Sequence, residues 1–230
     1  MSSEAGQLAQ WIEPLTPDEL VEVEFASRQL TQMEIDWQTI RPDDFPLPAL
    51  KQRLSGLLHE ILEGRGFVLL RGLPVERWGR RLSAIAFLGL GLHLGNLRSQ
   101  NRHGHLLGHV KDLGITSQDP NVRIYQTRER QNYHTDSCDV VGLLCLHPAK
   151  YGGLSSLVSS VTIFNEMRKR RPDLSRILFE RIETDRRGEI PDGQNHSFVY
   201  RCLTGMQVCF RPSTSAVTLN RQGGFLKCRH

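Results

Sequence analysis

A change of hydrophobic rhythm near Asp119-Pro120 constrains the fold of this 230-residue chain more than any other feature. Upstream of it, apolar residues recur at helical spacing. Thr16-Pro17-Asp18-Glu19 is a helix start, with a capping Thr, Pro at the first helical position and Glu three residues after the cap. That helix is expected to run into the Arg28 to Met33 region. A second stripe, Leu50, Leu54, Leu57, Leu58, Ile61 and Leu62, stops at Gly64. Between the two, Pro42, Pro46 and Pro48 permit neither helix nor central strand, so Arg41 to Pro48 reads as a linker. Phe67 to Leu70 is a continuous apolar strand, and Val75 to about Gly89 fits a further helix.

Downstream, Val122 to Tyr125, Gly142 to Leu146, Leu157 to Ser159, Ser197 to Cys202 and Gln207 to Arg211 read as short strands. Strands this short, parted by Gly and Pro turns, suggest a β-sandwich or barrel. Val161 to Arg170 and Leu174 to Arg181 look helical, separated by Pro172. The order is helices first, then strands with an inserted helical pair, an α+β and mainly β pattern. No internal repeat is visible. The tail, Pro212 to His230, shows neither alternation nor a helical period.

Length and composition suit one domain with one core. The formal charge is only +4, which gives no sign of a nucleic-acid binder. The densest basic segment, Arg168 to Arg171 and on to Arg187, is interleaved with Glu166, Asp173, Glu180, Glu183 and Asp185. Mixed signs of this kind mark a solvated face. The five cysteines, Cys138, Cys145, Cys202, Cys209 and Cys228, form no C-x-x-C pair and imply reduced thiols. Met1-Ser2-Ser3-Glu4 lacks the basic and apolar regions of a signal peptide. The most apolar stretch, Ala84 to Leu94, is far shorter than the roughly 20 residues of a membrane span. An intracellular, cytoplasmic protein without membrane or nucleic-acid partners is expected.

The chemistry concentrates at Tyr133-His134-Thr135-Asp136. In extended backbone, residues i and i+2 point the same way, so His134 and Asp136 can close on one ion. Two ligands leave most of a coordination sphere open, as an Fe(II) oxygenase with a two-His-one-carboxylate face requires. From spacing alone, a structural His–carboxylate pair satisfies the pattern equally. A separate cluster, His103-Gly104-His105 with His109, places two imidazoles at i and i+4, a spacing that on a helix serves zinc. No Glu sits between them, and Gly104 and Gly108 weaken a helix there.

The neighbours of the pair are more specific. After His134-Thr135-Asp136-Ser137-Cys138-Asp139 come the apolar run Val140 to Leu146, Pro148, Tyr151-Gly152-Gly153-Leu154-Ser155-Ser156 and Val158-Ser159-Ser160. Upstream stands Gly64-Arg65-Gly66-Phe67-Val68-Leu69-Leu70-Arg71-Gly72-Leu73-Pro74. Together these resemble the TauD/TfdA family of Fe(II)- and 2-oxoglutarate-dependent dioxygenases, and within it the clavaminate synthase-like branch. The resemblance covers roughly residues 50 to 211 and is densest from Asn121 to Arg171.

It implies a double-stranded β-helix, a jelly roll, with N-terminal helices. It divides the chain into a helical extension and linker (1–48), a partial dioxygenase domain (49–211) and a divergent tail (212–230). His134 and Asp136 are implied as catalytic iron ligands, and Ser155 as the hydroxyl that contacts the 2-oxoglutarate co-substrate. O2 and a small organic substrate are the implied partners, with Tyr125 and Tyr133 as candidate pocket walls. Two departures stand out: Leu154 replaces the usual acidic residue after Gly-Gly, and no late H-G-R-type segment supplies a second iron-binding His and a 2-oxoglutarate-binding Arg. The later histidines are His147 before Pro148, His196 after a loop, and the terminal His230. The resemblance therefore implies a jelly roll that is incomplete at its C-terminal side. Two other functions compete: a catalytically inactive fragment acting as a binding or regulatory partner, and a zinc hydrolase built on His103, His105 and His109.

Overall fold

The computed structural model describes residues 11–33, 36–37, 39–101, 103–116, 118, 122–136, 138–185, 190, 193, 195–200 and 215–220. These divide into two compact units, one drawn from Met1–Leu97, Thr135–Ser160 and Arg211–His230, the other from Arg98–His134 and Val161–Phe210.

The first unit contains strand β1 (Ile12–Pro14), helices α1 (Pro17–Thr31), α2 (Leu50–Glu63) and α3 (Val75–Leu92), and strands β2 (Phe67–Arg71), β3 (Val140–Leu144) and β6 (Ser215–Asn220). Helix α1 begins as its sequence dictates. Thr16 Oγ1 accepts from the Glu19 N–H at 3.2 Å, and Glu19 Oε2 accepts from the Thr16 N–H at 2.8 Å, so two otherwise unpaired amide groups are satisfied reciprocally. Its inner face buries Val23, Ala26 and Leu30. Helix α2 buries Leu50, Leu54, Leu57 and Ile61 of the stripe read from the sequence, while Leu58 and Leu62 are half-buried. Helix α3 bends at Gly79, whose backbone is non-helical, and continues three residues beyond the expected Gly89, to Leu92.

These faces meet around β2, whose Val68, Leu69 and Leu70 are buried. The proline-rich stretch 41–48, read as a linker, is built into this core: Phe45 is fully buried and Leu47 nearly so. Pro42–Asp44 forms one 3-10 turn, which proline tolerates because a first turn leaves its N–H positions unpaired anyway. Val140, Leu144 and Leu146 pack on the same core.

The sheet of this unit has the order β1-β2-β6-β3 and is parallel throughout. Leu69 stands opposite both Ile12 and Thr218, and Gly142 opposite Val217. Strand β6 corrects the reading of the tail as lacking a regular element. Val217-Thr218-Leu219-Asn220 does alternate, over only four residues in a tail rich in Ser, Thr and Gly.

The second unit carries helices α4 (Ser160–Arg170, apart from its first residue) and α5 (Pro172–Ile177), and the antiparallel pair β4 (Ile182–Asp185) and β5 (Ser197–Tyr200), with Ile182 opposite Tyr200. Phe164 and Phe179 meet edge to face at 5.8 Å between ring centroids. Pro172 opens α5 instead of merely separating two helices, the position where its fixed φ is preorganised.

Two expected strands are absent among the described residues. Ile124–Gln126 is a 3-10 turn, and of 157–159 only Val158 makes an isolated bridge. Residues 201–211, which include the expected strand Gln207 to Arg211, lie outside the described residues. A jelly roll is assembled from antiparallel strands. The described strands, helices aside, make one parallel sheet and one antiparallel pair, so the double-stranded β-helix does not follow from them alone. No helix of the described residues is long and apolar enough to cross a membrane.

Candidate active site

His134 and Asp136 lie in an irregular segment ahead of β3, not on the strand itself. The boundary between the two units falls after His134, which belongs to the second, whereas Asp136 belongs to the first. Both side chains are half-buried.

Hydrogen bonds at both ring nitrogens of His134 bear on its tautomer. Nδ1 lies 2.7 Å from the Asn132 carbonyl oxygen. A carbonyl can only accept, so Nδ1 carries the proton. The other nitrogen, Nε2, then holds a lone pair, and the Gln131 side-chain amide donates to it at 2.7 Å. An imidazole with Nδ1–H tied to a main-chain carbonyl carries its lone pair on Nε2, the tautomer that ligates a metal through that atom. A neutral imidazole nitrogen and a carboxylate are donor types that an Fe(II) site takes. Among the described residues, no group of three His, Cys, Asp or Glu side chains comes together as a metal site. Gln131 and Asn132 were not singled out from the sequence, because nothing in their identity announces a contact made through one side chain and one main-chain carbonyl.

Ser155 follows the turn at Gly152 and Gly153, both with φ near +70°. L side chains rarely adopt this region. A Cβ on Gly153 would also lie 2.8 Å from the Ala149 Cβ. Leu154, which stands where the family has an acidic residue, is 86% exposed, and Ser155 is half-buried.

Of the later histidines, His147 and His196 are both exposed at bends, and His230 lies outside the described residues. Tyr133 is 63% exposed, whereas Tyr125 is half-buried and its carbonyl accepts from the Lys111 N–H at 3.2 Å. Cys145 is a free thiol, and burial pushes its pKa up.

The competing histidine cluster is not helical. Asn101 organises it as a turn, its Oδ1 accepting from the backbone N–H of His103 at 3.0 Å and of His105 at 3.3 Å. The Asn101 amide nitrogen also lies 3.0 Å from His105 Nδ1. With residues 103–109 irregular, His105 and His109 do not have the shared helical face on which the zinc reading depended. Side-chain bonding of Asn to its own backbone outcompetes a helix here, where two glycines already disfavour one.

Comparison with known proteins covers most of the chain. The family model described as "Taurine catabolism dioxygenase TauD, TfdA family" matches residues 26–213. FR-33289 synthase of Streptomyces rubellomurinus (strain ATCC 31215) is 29% identical over 189 residues, covering 81% of this chain and 55% of the relative. A taurine hydroxylase-like protein, SAT17, of Stachybotrys chartarum (strain CBS 109288 / IBT 7711) is 33% identical over 148 residues, covering 61% of this chain and 38% of the relative. The chain therefore spans about half the length of the first and less of the second.

Proposed function

This chain belongs to the TauD/TfdA family of dioxygenases, and on that premise we propose that it is an Fe(II)- and 2-oxoglutarate-dependent dioxygenase that hydroxylates a small organic molecule. The family match over residues 26–213 carries the reading. The tautomer of the His134 ring supports it locally: with Nδ1–H on the Asn132 carbonyl, Nε2 carries the lone pair that an iron ligand needs.

His134 through Nε2 and Asp136 through its carboxylate would hold the metal. When bound, Fe(II) with 2-oxoglutarate supplies the oxidising chemistry, O2 being consumed as 2-oxoglutarate is decarboxylated to succinate. The chain's own residues orient and shield. The Asn132 carbonyl fixes the His134 ring, and the Gly152-Gly153 turn sets the direction of the segment from which Ser155 would hydrogen-bond the co-substrate. The names of the relatives, a synthase and a hydroxylase-like protein, agree with chemistry on a small molecule. The double-stranded β-helix, with the dioxygenase domain at 49–211, belongs to the same proposal.

The deciding measurement is succinate release from purified protein supplied with Fe(II), 2-oxoglutarate and O2. Release that stops without O2 or in the Asp136→Asn variant supports the dioxygenase. Metal binding at His134 without any turnover favours instead a protein that acts by binding.

A further inference from the structure

We propose that Gln131 is a positioning residue that competes with metal for His134 and so sets the metal affinity of this ring. The inference rests on the reading of His134 as a ligand and adds to it a neighbour whose side chain controls access to the ligating atom.

The two contacts on the ring are not equivalent. The one at Nδ1 comes from the main-chain carbonyl of Asn132, at 2.7 Å, and persists whatever side chains stand nearby. The one at Nε2 comes from the side-chain amide of Gln131, also at 2.7 Å, and disappears if that side chain is shortened. An sp2 ring nitrogen has a single lone pair in the plane of the ring, so an N–H donor and a metal ion cannot share it. The Asn132 carbonyl thus selects the tautomer, while Gln131 occupies the lone pair which that tautomer exposes. Gln131 and His134 are both half-buried, where a neutral hydrogen bond is less readily replaced by water than on an open surface. Metal entry requires the Gln131 amide to turn away, at the cost of one ordinary hydrogen bond.

The test uses the full chain, wild type and Gln131→Ala, with Co(II) alone as the metal probe and nitrogen NMR of the imidazole in the metal-free protein. Both proteins are expected to show His134 protonated at Nδ1, with the Nε2 resonance of Gln131→Ala moved toward the value of a ring nitrogen that accepts no hydrogen bond. Co(II) affinity is expected to rise about 2- to 10-fold in Gln131→Ala, the equivalent of one net hydrogen bond. An unchanged Nε2 resonance overturns the contact, and unchanged or weaker Co(II) binding overturns the competition. His134→Ala separates the two levels of the argument. If Co(II) binding is the same in His134→Ala as in wild type, the ligand reading falls and the competition with it, whereas the Nε2 resonance still decides whether Gln131 holds the ring.

Discussion

Glu22 caps a helix that begins 28 residues later: its carboxylate accepts the N–H of Leu50 at 3.1 Å, and that of Ala49 at 2.9 Å. Helix α2 has Ala49 at its N-cap and no side-chain cap of its own. The first amide groups of a helix have no partners within it, and a carboxylate at that end also faces the positive pole of the helix dipole. One side chain of α1 therefore does for α2 what a local Ser or Asp does elsewhere. Glu22→Ala should lower stability by about 0.5–2 kcal/mol, the range for loss of an N-cap, and Glu22→Gln by less. Urea unfolding of the two variants measures the difference, and equal midpoints for wild type and Glu22→Ala would remove the cap from the account.

Acid should weaken the same region through Glu19. Burial raises the pKa of this carboxyl, but the Thr16 N–H, 2.8 Å from Oε2, and the Arg53 guanidinium, 2.9 Å from Oε1 and 2.7 Å from Oε2, outweigh burial and hold it below the ordinary 4.5. A depressed folded-state pKa stabilises the protein above the unfolded value, and that stability is lost as pH falls through the lower folded value. Stability is thus expected to decline as pH drops below 4.5. In Glu19→Gln the decline should be shallower, read as unfolding midpoints across the acid range.

Two glycines in helices should respond to alanine with opposite sign. A Cβ at Gly89 of α3 would overlap the ring of Phe45, whereas at Gly56 of α2 it would meet nothing within 4 Å. Gly56→Ala should stabilise by about 0.4–1 kcal/mol, because alanine restricts the unfolded chain at no steric cost. Gly89→Ala gains the same propensity term but forces a buried ring to move, at about 1–3 kcal/mol for overpacking, and should be net destabilising. Thermal melts of the pair check both signs.

Within the proposed reaction, His134→Ala and Asp136→Asn should each abolish Fe(II) binding and 2-oxoglutarate-dependent succinate release. Ser155→Ala should leave metal binding intact and raise KM for 2-oxoglutarate by roughly 2- to 10-fold, the value of one net hydrogen bond. Metal titration and initial rates separate these effects. A Ser155→Ala variant with unchanged KM removes Ser155 from the co-substrate site.

How far the sequence could be read depended on where each segment makes its bonds. The first three helices were legible because stripe, cap and stop are local: the Thr16–Glu19 capping box formed as written, and Leu50, Leu54, Leu57 and Ile61 face one core. Residues 122–125 were misread as a strand. There the Arg123 N–H donates to Gln126 Oε1 and the Thr127 hydroxyl donates to the Ile124 carbonyl, bonds that close a turn in place of a ladder. At the candidate site, the identity of His134 and Asp136 and their spacing were visible, but the roles of Gln131 and Asn132 were not. One acts through a rotamer and the other through a carbonyl that any residue would have.

The sequence by itself determined the helical half of the first core, the His134-Thr135-Asp136 spacing, the Gly152-Gly153 turn and, through them, the family. Each is a pattern complete within a few neighbouring residues, whose periodicity, caps and backbone limits act at short range. Only the tertiary structure decided that Glu22 caps a helix 28 residues away, that proline-flanked Phe45 lies in the core against Gly89, and that Ser215–Asn220 stands between β2 and β3. It also decided the proton on His134, since a tautomer is set by which acceptor the folded chain brings to Nδ1. These are pairings between distant or irregular segments, and their free energy exists only once the chain has brought the partners together.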